Sequence, residues 1–326
     1  MQHDPRVIFP PEELKRRNHI SYLLTLLCAV APLIVRLCWQ PIVIWLLPRS
    51  FTAALADDSF YQAANGILEF IVFGLPAFLL YLLLKKKDAL SVTAQPRFLP
   101  CVALLLLGVA LAYELTLLTD LWYLIVKRLG LPDFTPAVRT PASDTGWLLL
   151  FLGSSFAAPV CEELLFRGAV FGHIRKYLPA KVAVPLCTLG FALMHGSLTG
   201  LPAHICVGLI LTIIMLKSEN ILYTIMLHFS YNFTITGMAR KYGAEAVTEA
   251  VPAEQYSFAQ VFGMSLPTIL MLGFFIAFLL YILLKSMPKL KESKPREITK
   301  PERALLIALC AVAPAVFLLS YFGVSL

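Results

Sequence analysis

The chain has 326 residues, of which 59% are hydrophobic and only 14% are charged. A soluble domain of this length cannot bury that much apolar surface, so the composition excludes a soluble globular protein. It predicts an all-α fold, a polytopic bundle of transmembrane helices. The net charge of +7 is explained by lysines and arginines in the loops on one side of the membrane, and it requires no nucleic-acid partner.

Apolar stretches of membrane-spanning character follow one another along the chain. They lie at 20–47, 61–84, 98–125, 147–172, 182–198, 203–216, 220–238, 261–284 and 304–322. The sixth stretch is short and begins after Gly196, Gly200 and Pro202, which is compatible with one half of a broken or re-entrant pair. The sequence therefore predicts eight or nine spans.

The basic residues predict the orientation of the chain. Four of them precede the first stretch, Arg6, Lys15, Arg16 and Arg17. The densest basic cluster fills the 285–303 segment, after the eighth stretch. Because short cytoplasmic loops are enriched in lysine and arginine, we predict a cytoplasmic N-terminus and a cytoplasmic 285–303 loop. We expect the chain to reside in the cell (plasma) membrane.

Two adjacent carboxylates and a guanidinium interrupt the fourth stretch, at Glu162, Glu163 and Arg167. Ionisable groups at membrane depth are costly unless they are paired or line a wet cavity, so they are rarely retained without a role. Residues four apart share a helix face, so Glu163 is predicted to pair with Arg167. Glu162 points about 100° away and stays available for chemistry.

Three further polar residues lie deep in later apolar stretches. His195 follows Phe191 by four positions in the fifth stretch, and His228 and Asn232 are four apart in the seventh. At 1.5 Å per residue, these three residues and Glu162 lie roughly 12–20 Å from the predicted cytoplasmic edge. That depth is near the middle of a hydrocarbon core of about 30 Å. We therefore predict that Glu162, His195, His228 and Asn232 surround one cavity.

The ordered motifs EExxxR, FxxxH and HxxxN, which together cover 162–232, resemble the three signatures of the CPBP family. These are the intramembrane CAAX-protease and bacteriocin-processing proteins, also called Abi proteins. The resemblance implies an endopeptidase that cuts inside or beside the membrane. It also implies a catalytic core at 141–240, between N-terminal helices at 1–140 and C-terminal helices at 241–326.

The resemblance implies a role for each matched residue. Glu162 and His195 would hold and deprotonate the attacking water. His228 and Asn232 would stabilise the oxyanion of the tetrahedral intermediate, since an imidazole and an amide both carry N–H donors. The structural alternatives are a histidine packed against a backbone carbonyl for His195, and interhelical hydrogen bonding for His228 and Asn232.

Family membership implies a structural role for Glu163 and Arg167, which would fix the first motif helix, and it raises the question of a metal. Members are often described as metalloproteases, and Glu162, His195 and His228 have the right chemistry to ligate zinc with water in the fourth position. The sequence does not decide between a metal-bound and a metal-free water.

Other functions remain open at this stage. Intramembrane carboxylates and histidines also form ion pathways in secondary transporters, although the first half of this chain has no counterpart of the polar layer. A non-catalytic immunity or scaffold protein is a third interpretation. Glu69, Glu114 and Asp120 also lie in apolar stretches, where they could pair with Arg36 or face a cavity, and we interpret them as structural. The expected partners are membrane lipids and a peptide or protein substrate, for which prenylated CAAX tails, leader peptides and transmembrane anchors are all open.

Overall fold

The computed structural model describes residues 49–83, 96–131, 139–175, 178–243 and 257–287. Within these ranges the chain is helical and no strand is present. The spans predicted at 20–47 and 304–322 lie outside the described residues, as do the N-terminal basic residues and most of the 285–303 loop.

Eight helices make up the described part of the chain. They are α1 (Arg49–Ala54), α2 (Asp58–Leu82), α3 (Phe98–Arg128), α4 (Asp144–Ile174), α5 (Ala180–Met194), α6 (Leu201–Ser218), α7 (Ile221–Tyr242) and α8 (Phe258–Ser286). Five of these, α2, α3, α4, α6 and α8, are long and apolar enough to cross a membrane. The protein is therefore an all-helical integral membrane protein, and the total of eight or nine spans stays a prediction.

The short apolar helix is α5 rather than α6, so the prediction of a short sixth element was wrong. Helix α6 has 18 residues, whereas α5 has 15 and is roughly 22 Å long. The cause is Gly196, whose φ of 64° lies in the left-handed region that favours glycine. The turn at 195–200 follows, and α6 then packs back against α5.

Two of the long helices contain π-helical segments. One lies in α2 at Phe70–Gly74, and α4 contains two, Phe151–Ala157 and Leu164–Phe171. The two segments in α4 lie on either side of the glutamate pair, and the second begins directly after Glu163. Isolated π-helical turns are rare and frequently mark functional sites. The pattern of apolar residues cannot distinguish them from ordinary α-helical turns.

Helices α3 and α4 are the main packing partners of α7, the helix that carries His228 and Asn232. On α3, a Cβ added at Gly108 would lie 2.7 Å from Cβ of Ser230, so these two backbones approach closely. Ser230 also donates a hydrogen bond of 2.6 Å to the carbonyl of Leu105. Small residues at such crossings allow helices to pack tightly in lipid. This packing fixes the position of α7 against α3.

Candidate active site

The predicted ion pair between Glu163 and Arg167 is confirmed. Arg167 Nη1 donates to Glu163 Oε1 at 2.8 Å, and both side chains are fully buried. The second guanidinium nitrogen donates to the carbonyl of Gly208 on α6 at 3.1 Å. The guanidinium carbon lies 4.2 Å from the ring centroid of Phe191, within the range of a cation–π contact. Arg167 therefore joins α4 to both α5 and α6.

Glu163 has a second partner that the helix spacing did not predict. His228 Nδ1 lies 2.9 Å from the same carboxylate oxygen, and both side chains are almost completely buried. An ionised carboxylate oxygen can only accept a hydrogen bond, so Nδ1 of His228 carries the hydrogen and donates the bond. Glu163 thus links Arg167 to His228, and the Nε2 atom of His228 is the nitrogen left for chemistry.

Glu162 faces His195 across a gap. Glu162 Oε2 and His195 Nε2 are 4.0 Å apart, which is too long for a direct hydrogen bond. His195 Nδ1 donates to the carbonyl of Phe191 at 2.9 Å, so in the neutral ring Nε2 is an acceptor. Two atoms that hydrogen-bond the same water lie about 4.5 Å apart. The spacing of this pair suits one shared water.

Phe191 is the packing centre of the site. Its ring centroid lies 4.8 Å from that of His195 and 5.7 Å from that of His228, both in edge-to-face geometry. It also contacts Phe166 edge-on at 5.6 Å. The phenylalanine of the FxxxH motif therefore orients both histidines with its ring, while its carbonyl fixes the tautomer of one of them.

His204 is a site residue that sequence reasoning missed. Its ring stacks on that of His195, with centroids 3.9 Å apart and planes at 21°. None of the three sequence motifs includes His204. The available signal was the pair Gly196 and Gly200, which permits a turn tight enough to bring the first residues of α6 back onto His195.

Asn232 contacts the backbone of α4. Its Nδ2 atom donates to the carbonyl of Ser154 at 2.9 Å, in the first π-helical segment. One turn further along α7, Thr236 accepts a hydrogen bond from Ser155 at 3.1 Å. This is the interhelical bonding considered as the structural alternative. An amide nitrogen has two N–H groups, however, so the bond to Ser154 uses only one of them.

Glu162, Glu163, His195 and His228 are thus brought together around Phe191, and Asn232 lies one helical turn from His228 on the same face of α7. Their catalytic roles, and the single cavity, stay predictions.

The structure also locates the other carboxylates of the membrane helices, Glu69, Glu114 and Asp120. Glu114 and Asp120 are buried on α3, and Glu114 Oε1 lies 4.0 Å from the position of a Cβ at Gly273 on α8. Glu69 lies on α2, next to a π-helical segment. Arg36, a possible partner, lies outside the described residues. Cys161 is buried on α4, and its Sγ atom lies 3.0 Å from the position of a Cβ at Gly74 of α2.

The described part of the chain contains no group of three histidine, cysteine, aspartate or glutamate side chains arranged to hold a metal ion. Of the zinc candidates Glu162, His195 and His228, the first two face each other, while the third is bonded to Glu163. The donor set as placed does not fit a three-ligand zinc site. Zinc binding stays a prediction, and no step below passes through a metal.

Comparison with known proteins addresses the same segment. Residues 144–234 match the family model described as type II CAAX prenyl endopeptidase Rce1-like. No curated protein and no solved structure matches the chain. The matched range contains all three motifs and every residue of the site, so the predicted resemblance to the CAAX-protease family is confirmed: this chain carries the Rce1-like region in α4 to α7.

Proposed function

We propose that the protein is a CAAX-type intramembrane endopeptidase, which hydrolyses a peptide bond with a water held between Glu162 and His195. The observation that carries the proposal is the 4.0 Å gap between Glu162 Oε2 and His195 Nε2, inside the segment that matches the CAAX endopeptidase family. The His195 side chain is 22% exposed and that of Glu162 is 8% exposed. A pair buried to this degree is largely shielded from bulk solvent, which strengthens electrostatic interactions with a reacting group.

The proposed reaction begins with the shared water. It donates one hydrogen bond to the Glu162 carboxylate and one to Nε2 of His195, which leaves its oxygen lone pairs for the substrate carbonyl carbon. Glu162 takes the proton as the carbon–oxygen bond forms. The same proton then goes to the leaving amine nitrogen as the peptide bond breaks. One carboxylate therefore acts first as base and then as acid, as in other general acid–base catalysts.

The oxyanion of the tetrahedral intermediate would be stabilised from α7. His228 donates from Nδ1 to Glu163, so a donor role for Nε2 requires the imidazolium form. Glu163 accepts the Nδ1–H bond of that form and shares its single negative charge between His228 and Arg167, so the trio would carry a net charge of +1 beside the developing oxyanion. The second N–H of the Asn232 amide is the other donor. Donors of this kind act mainly on the transition state, where the negative charge develops.

The matched family is described as type II CAAX prenyl endopeptidase Rce1-like, and we extend that substrate class to this chain. A prenylated peptide partitions into the bilayer through its lipid tail, which would bring its scissile bond to a membrane site. A leader-bearing peptide is the second substrate class. The plasma membrane and a cytoplasmic N-terminus remain part of the proposal.

The test is cleavage of a quenched-fluorescent peptide that ends in a farnesylated CAAX sequence, by the full chain purified in detergent. Wild-type protein is expected to cleave it, and Glu162→Gln is expected to be inactive. Glu114→Gln is the matched control, because Glu114 is also a buried glutamate in a membrane helix but lies where α3 meets α8. Equal activity of wild type and Glu162→Gln would overturn the proposal.

A further inference from the structure

His195 is held by more than its motif. One restraint is the hydrogen bond of 2.9 Å from Nδ1 to the carbonyl of Phe191. A single hydrogen bond fixes one ring atom and leaves the ring plane free to tilt about it. The plane is fixed by two rings, the edge-on ring of Phe191 at 4.8 Å and the face-on ring of His204 at 3.9 Å. His204 supplies the only one of these restraints that lies outside the FxxxH motif.

The turn between α5 and α6 allows the ring of His204 to stack on that of His195. A Cβ added at Gly200 would lie 2.7 Å from Cε1 and 3.1 Å from Nδ1 of His204, so the ring can occupy its place only beside a glycine. Gly200 itself has φ of −78°, a backbone conformation open to any residue. Glycine is required here for space and not for backbone freedom.

Two further bonds hold the turn in place. Ser197 Oγ accepts from the backbone nitrogen of Gly200 at 2.8 Å. Trp122 on α3 donates from its indole nitrogen to the carbonyl of Leu198 at 3.0 Å. The turn is thus fastened to itself and to a neighbouring membrane helix, so the position of His204 does not depend on α6 alone.

From this geometry we infer that His204 is a positioning residue: its ring face fixes the plane of His195 and so aims Nε2 at the water shared with Glu162. The inference rests on the proposed function. A tilted imidazole would still lie beside Glu162, but its Nε2 lone pair would leave the line to the water. Misplacement of a reacting group by about 1 Å is worth roughly 100-fold in rate. We expect the effect in kcat, because His204 acts on the orientation of His195 and has no proposed substrate contact.

The test compares four proteins in the farnesylated-peptide assay, namely wild type, His204→Ala, His204→Leu and His204→Phe. We expect His204→Ala and His204→Leu to lower kcat roughly 10- to 100-fold with KM within about 2-fold of wild type. His204→Phe should restore most of the lost kcat, because it keeps a ring face. Leucine fills a similar space without a ring, so it separates stacking from simple packing.

A second measurement tests the same contact by changing Gly200, which packs against the His204 ring. Gly200→Ala should push the His204 ring away and lower kcat like His204→Ala, while the double variant should be no worse than either single variant. Gly263→Ala in α8 is the matched control, because a Cβ there meets nothing within 4 Å. Its kcat should equal that of wild type.

Three outcomes would overturn the inference: unchanged kcat in His204→Ala, a loss in His204→Phe as large as in His204→Ala, or additive losses in the double variant. These outcomes are distinct from failure of the proposed function itself. In that case wild-type protein would not cleave the peptide in a Glu162-dependent way, and no kcat could be compared.

Discussion

Two halves of the site are built in opposite ways from neighbouring glutamates. Glu163 belongs to a closed half, in which Arg167 and His228 meet one carboxylate oxygen at 2.8 and 2.9 Å and the carboxylate and guanidinium are fully buried. Glu162 belongs to an open half, in which His195 is 4.0 Å away and partly exposed. In the closed half the charged groups contact one another directly, whereas in the open half the two side chains are separated by a gap. A single residue step along α4 thus separates a carboxylate with two direct charged contacts from one that faces its histidine across a gap.

The largest expected effect is on the open half. Glu162→Gln should lower kcat by about 10²- to 10⁴-fold, because the amide cannot accept the proton of the water. Its thermal unfolding midpoint in detergent should stay close to that of wild type, since the amide is nearly isosteric with the carboxylate. Kinetics and thermal unfolding on the same preparation check both parts. A large loss of stability would show that Glu162 belongs to the closed half as well.

The matched change in the closed half should fail differently. Glu163→Gln leaves Arg167 buried without its counter-charge and weakens the partner of His228, a cost of roughly 3–5 kcal/mol in the free energy of unfolding. The measurement is the unfolding midpoint relative to Glu162→Gln, the same chemical change one position earlier. If both variants unfold at the same midpoint, the contrast between the halves is lost.

The oxyanion donors should give the next largest effect. His228→Ala is expected to lower kcat by about 10²- to 10³-fold with little change in KM, because its hydrogen bond strengthens mainly in the transition state. Asn232→Ala should act in the same direction. Its loss should be the smaller of the two, since the structure gives one of its N–H groups to Ser154.

Metal analysis separates this role of His228 from zinc ligation. A ligand role predicts that activity is lost on chelation and returns when zinc is added to wild-type protein. It also predicts a lower metal content in His228→Ala. A donor role predicts a defect in kcat alone, at unchanged metal content. A metal-dependent loss would contradict the donor assignment and bring zinc back into the mechanism.

Much of the closed half could be predicted from the sequence, because Glu163 and Arg167 are close together in the same helix. The Glu163–Arg167 pair follows from helix spacing, and an all-helical membrane fold follows from composition. The Glu163–His228 bond could not be derived in this way, because it joins residues 65 positions apart on helices whose rotation the pattern leaves free. Spacing of 100° per residue also does not hold in the π-helical segments that flank the pair.

The open half was harder to predict because it depends on where a helix ends. An apolar pattern running from 182 to 198 predicts one continuous helix through His195. The structure ends α5 at Met194 and turns the chain at Gly196, and only this turn brings His204 onto His195. A hydropathy pattern indicates which residues avoid water, but it does not show where a glycine ends a helix inside an apolar stretch.

The smallest expected effect tests the ring that joins the halves. Phe191→Leu keeps the backbone carbonyl that accepts from His195 and keeps most of the apolar volume. It removes the ring under Arg167 and the edge contacts to both histidines. Such contacts are worth about 0.5–2 kcal/mol each, so we expect a modest loss of stability together with a fall in kcat of about 10-fold.

Phe166→Leu is the control, because Phe166 contacts the Phe191 ring and is buried to the same degree. It should lower stability by a similar amount with kcat nearly unchanged. If the two variants lower kcat equally, the ring of Phe191 is general packing, and the halves are coupled through the backbone alone.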